Sequence, residues 1–154
     1  MKVTIPLNIA DIEEPKPVPA GKKYDLVVAS YEDSTDGGGS PQLRVLINIE
    51  GHDIAPAVTH FLSLPSSRDD VKKLRGKGYY LRTFLDPFKI PYESQGDQTE
   101  FDTDDLIGAR ANLELTLSEP DKNNRVYNRL VLPRLVDTVD QNPIGRVSPK
   151  PPKR

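Results

Sequence analysis

The hydrophobic pattern changes period once, between Ser66 and Pro91, and that change constrains the fold more than any other feature of the chain. On either side of it apolar residues alternate with polar ones, the two-residue period of a half-buried strand. Inside it Val71, Leu74, Leu81 and Leu85 recur at helical intervals and predict one apolar helix face. Ser67 with Asp70 three residues on reads as a capping box at the start of this helix. Gly76 and Gly78 each weaken a helix interior by ~1 kcal/mol relative to alanine, so one long helix and two short helices meeting at a kink both fit. Pro87 and Pro91 close the segment.

Three alternating runs precede the helix. The first, Lys22 to Glu32, sets Tyr24, Leu26 and Val28 against Asp25, Val27 and Ala29. A glycine-rich loop, Asp33 to Pro41, leads to the second, Gln42 to Glu50, with Leu43, Val45, Ile47 and Ile49 inward and Arg44, Leu46, Asn48 and Glu50 outward. The third, Ala57 to Leu64, puts Val58, His60, Leu62 and Leu64 on one face and Thr59, Phe61 and Ser63 on the other. Beyond the helix, Tyr92 to Glu100 is polar and acidic and reads as a loop, and Phe101 to Gly108 as one helical turn ended by its glycine. A fourth strand is predicted over Ala109 to Ser118, with Ala111, Leu113, Leu115 and Leu117 inward. Turn chemistry at Pro120 to Asn124 leads to a fifth, Arg125 to Leu132, with Val126, Asn128, Leu130 and Leu132 on one side and Arg125, Tyr127, Arg129 and Val131 on the other. Three strands, a helix and two strands is the element order of a five-stranded OB-fold barrel, an all-β fold with a helical insertion. Of Tyr79 and Tyr80, one is expected to pack beneath the barrel and the other to face water.

At 154 residues the chain is long enough for one domain with its own core. Residues 1–18, with Pro6, Pro15 and Pro17 around the acidic Asp11 to Glu14, read as a flexible arm able to pair at an edge through Val3 to Leu7. Residues 19–138 form the expected barrel, and residues 139–154 a basic, proline-rich tail too polar to pack. With no cysteine there are no disulfides or thiolate metal sites, which fits a reducing cytoplasm. Met1 to Ala10 lacks the pattern of a secretory leader, and no apolar run is long enough to span a membrane. A formal charge of -2 argues against a protein coated in basic residues, while leaving room for a local basic groove.

The stretch Pro19 to Val28, followed by Leu43 to Ile49 ending in Glu50-Gly51, resembles the opening of small phage-encoded single-stranded DNA-binding proteins with an OB fold. Leu81, Phe84 and Leu85 with Ile90-Pro91, Asp105 to Gly108 opening a strand, and Arg125 to Arg129 are similar to later landmarks of that family. The resemblance covers residues 19 to 135 and implies a barrel that coats single strands in phage replication or recombination, in the host cytoplasm. Phage recombinase or replication proteins are the protein partners it implies. The sequence departs from many single-strand binders at its end, which is basic where they carry an acidic tip.

Arg125, Tyr127 and Arg129 are spaced to aim two guanidinium groups and a ring at one strand face. Single-stranded nucleic acid needs both cations to follow phosphates and rings on which bases stack. Arg44 and Arg110 share that outward parity, Lys22, Lys23 and Lys122 would extend the track, and Phe61 is a further stacking candidate. A solvated strand face also explains the arginines, but the aromatic between the charges favours the binding reading; a core position explains Phe61 equally simply.

No catalytic constellation stands out. His52 and His60 lack zinc-ligand spacing, Gly76-Lys77-Gly78 is not a phosphate-binding loop, and helix capping with loop solubility accounts for Asp97, Glu100, Asp102, Asp104 and Asp105 better than magnesium would. The expectation is a non-enzymatic, sequence-tolerant single-stranded DNA-binding module without cofactor or metal, able to self-associate. The alternative is an OB-fold structural or adaptor module that binds protein, such as a virion component or a recombinase partner.

Overall fold

A computed structural model describes residues 1–134; the expected basic tail, 139–154, and the end of the expected domain at 138 lie outside the described residues. Among the described residues seven strands and one α-helix follow one another as β1 (Lys22–Thr35), β2 (Pro41–Ile49), β3 (Val58–Ser63), α1 (Val71–Leu85), β4 (Tyr92–Gln95), β5 (Gln98–Phe101), β6 (Arg110–Leu117) and β7 (Asn128–Leu130). Short 3-10 turns lie at Ile9–Asp11 and Thr103–Leu106.

Five strands pair antiparallel in the order β3-β2-β1-β6-β7. β3 also lies against β7, so the sheet curls into a nearly closed barrel, compatible with an OB-like fold. β1 makes the curl possible: Lys22 to Val27 pair with β6, Leu26 to Thr35 pair with β2, and a bulge between Val28 and Ser30 bends the strand between the two. Alternation buries Leu26 and Val28 from β1, Leu43, Val45 and Ile47 from β2, Val58 and Leu62 from β3, and Leu115 from β6. The segments after α1 and β5 close the core with Phe88, Ile90 and Leu106.

α1 is one fifteen-residue helix that runs straight through both glycines. Its N-cap is Asp70, whose carboxylate accepts the Lys73 N–H at 2.8 Å, rather than Ser67. The predicted apolar face is corrected too, because the helix buries only its last turn, Thr83, Phe84 and Leu85, leaving Val71 and Leu74 exposed and Leu81 half-buried. Phe84 stacks between His60 (5.3 Å) and Phe88 (4.6 Å), which fastens that end of the helix to the barrel. Tyr79 and Tyr80, one of them expected beneath the barrel, both project outward and pack edge to face on each other. A methyl group at Gly78 would meet no atom within 4 Å. Gly78→Ala is therefore expected to stabilise the fold by ~1 kcal/mol, read as a higher urea midpoint at unchanged slope.

The expected loop at Tyr92 to Glu100 is instead the β4–β5 hairpin. Gly96 takes φ 59° at the first position of a two-residue turn, and Tyr92 faces Phe101 at its base, both against the core. Leu117, expected inward, lies beyond the covered end of β6 and is exposed. The fifth predicted strand shrinks to Asn128–Leu130 because the residues before it bond locally. Asp121 accepts the N–H groups of Asn123 and Arg125, and Tyr127 exchanges its backbone bonds with Ser118. Val3 to Leu7 pairs with no strand. The arm is tied down at its base, where the buried Val18 N–H donates to Asn128 Oδ1 and the Val18 carbonyl accepts from Asn128 Nδ2.

Candidate nucleic-acid interface

The parity expected for residues 125 to 132 holds although the strand is short. Asn128 is buried, and Arg125, Tyr127, Arg129 and Val131 are exposed. Tyr127 is 46% exposed, and its hydroxyl donates to Asp121 Oδ2 at 3.2 Å. The Asp121 carboxyl is held below its ordinary range, first by the Arg125 N–H and also by the Asn123 N–H and the Tyr127 hydroxyl. An anchored aspartate thus holds the Tyr127 ring on a segment that also carries exposed Arg125 and Arg129, with exposed Lys122 in the preceding turn.

Phe61 on β3 is 52% exposed and faces outward, which excludes a core position. Register places it opposite Arg44 on β2, and Arg44 opposite Glu32 on β1. Arg44 Nη1 donates to Glu32 Oε1 at 2.9 Å, so this row presents a ring and a partly neutralised cation. Because β3 meets β7, the Phe61 row and the Arg125–Arg129 segment flank the two sides of the barrel closure. Arg129 stands close enough to the β3 residue His60 that its charge adds to the effect of burial, and together they push the imidazole down to about 4.

The remaining candidates are not gathered there. Arg110 opens β6 and bonds Glu50, and Lys22 and Lys23 open β1 opposite Leu115 and Glu114. Glu50 was legible as an outward residue, whereas Glu32 shares the parity of buried Leu26 and Val28 until the β1 bulge resets the alternation, and only strand register reveals that the two meet Arg110 and Arg44. Asp121 carried turn chemistry in the sequence, while its grip on Tyr127 depends on how the turn closes. Among the described residues no three His, Asp or Glu side chains gather to hold a metal, and no helix is long and apolar enough to cross a membrane. No protein-family model matches this chain, and no curated protein matches it.

Proposed function

We propose that this chain is an OB-fold module that binds single-stranded DNA with little sequence preference, in phage replication or recombination. The observation that carries the reading is the pair of exposed rings, Phe61 and Tyr127, flanking the line where β3 meets β7, each with arginine beside it. The antiparallel order of the five strands, with β1 bulged and shared between β2 and β6, supports the OB assignment. Bases stack on the two rings while Arg125, Arg129, Arg44 and Lys122 follow the phosphates. Each stacked base contributes ~1–3 kcal/mol, and duplex, which hides its base faces, is excluded.

A labelled oligothymidine followed by fluorescence anisotropy tests this. Binding is expected for the single strand and not for duplex of equal length. Log affinity should fall against log salt with a slope of roughly -2 to -3.5 for three to five phosphate contacts. Tyr127→Ala should weaken binding by ~1–3 kcal/mol at unchanged slope, Tyr127→Phe should retain it, and Arg129→Ala should reduce the slope by about 0.7. Equal affinity for duplex, or no effect of Tyr127→Ala, would sink the stacking mechanism.

The bonds from Arg44 to Glu32 and from Arg110 to Glu50 favour one other reading, a structural or adaptor module whose barrel binds protein. That reading predicts no measurable affinity for the oligonucleotide at physiological salt.

A further inference from the structure

Two apolar surfaces of this chain lie open to solvent, and neither covers the other within one molecule. The arm carries Val3, Ile5, Leu7, Ile9 and Ile12, each more than half exposed, from Val3 at 73% to Ile5 at 52%. On α1, Val71 is 68% and Leu74 40% exposed. With Arg75 and Gly78 they stand at positions i, i+3, i+4 and i+7, which share one helix face. Gly78 has open space above it, so this face is a shallow groove with a glycine floor that none of the described residues fills. A glycine in a helix interior is unfavourable on its own, and close approach of another backbone is one physical use for it. The charges complement each other: Asp11, Glu13 and Glu14 follow the apolar arm residues, and exposed Lys72 and Arg75 border the groove. Anchored at Val18, the seventeen residues before it span up to about 55 Å when extended, enough to reach a neighbouring molecule.

We propose that the arm of one molecule docks in the α1 groove of a second copy. Val3 to Ile12 cover Val71, Leu74 and Gly78, while Asp11 to Glu14 meet Lys72 and Arg75. The contact is independent of nucleic acid and leaves the Phe61 and Tyr127 rings free.

Sedimentation velocity of the full chain over a range of concentrations tests the contact, with circular dichroism to confirm that each variant is folded. The wild type should associate beyond the monomer as concentration rises. Deleting residues 2–14 should leave a monomer, and so should Gly78→Leu, which fills the groove floor with a good helix former. Lys72→Glu with Arg75→Glu should weaken association several-fold, and adding Glu13→Lys with Glu14→Lys to that variant should restore it. A wild type that stays monomeric overturns the proposal, as does association that survives loss of the arm. Association that needs the arm but ignores Gly78→Leu and the charge exchange places the arm on another surface and overturns it equally.

Discussion

Asn128→Ala is expected to destabilise the fold by about 2–4 kcal/mol, because one buried amide satisfies both backbone groups of Val18. Asn128 Oδ1 accepts the Val18 N–H at 2.8 Å, and Asn128 Nδ2 donates to the Val18 carbonyl at 2.9 Å. Alanine leaves a buried donor and a buried acceptor without partners, and each such group costs ~1–3 kcal/mol. It would also release the base of the arm and loosen β7, whose neighbours Tyr127 and Arg129 belong to the candidate interface. Urea unfolding checks it: the midpoint should fall at unchanged slope. Asn112→Ala is the control, since Asn112 makes an exposed bond to Asp25 and its loss should stay within ~0.5 kcal/mol. If the two variants lose equally little, water has replaced the Asn128 amide and the arm is not anchored there.

Stability should also fall as pH is lowered from about 6.5 toward 4, and His60 should account for ~3 kcal/mol of that loss. Burial against Phe84 is the main cause of its lowered pKa, and the Arg129 charge adds to it. The folded state therefore keeps the imidazole neutral while the unfolded chain protonates near 6.5. Across that window the unfolded state binds more protons, so each step down in pH favours unfolding; above 6.5 both states are neutral and this contribution is flat. Carboxylates titrate near the lower end of the same range, so the informative quantity is a difference between proteins. His60→Leu keeps an apolar side chain against Phe84 and should remove the drop between pH 6.5 and 5. A variant whose pH profile runs parallel to that of the wild type would show that His60 is already solvated in the fold.

Within an unbroken strand the faces were legible from residue order alone, because a side chain's face follows from the two-residue period; the bulge in β1 resets that period, so Tyr31 packs against the core and Glu32 points outward. Leu43, Val45 and Ile47 are buried as their alternation requires, and Tyr127 and Arg129 point outward beside buried Asn128 even though most of the predicted fifth strand is absent. Helical spacing likewise placed α1, but not its use. A stripe of Val71, Leu74, Leu81 and Leu85 says that a helix has an apolar face, whereas only the barrel decides which turns reach the core, and it covers just the last. The β4–β5 hairpin escaped notice because its strands are polar; the aromatic pair Tyr92 and Phe101, nine residues apart, becomes a signal only once Gly96 has turned the chain back. Electrostatics was the least legible part. Glu32 and Arg44 are twelve positions apart, and Glu50 and Arg110 sixty, so their pairing is a property of register. Within unbroken strands, residue order determined which side chains leave the barrel surface; the tertiary fold alone decided that Arg44 and Arg110 among those charges are already paired, because register sets which residues meet across strands.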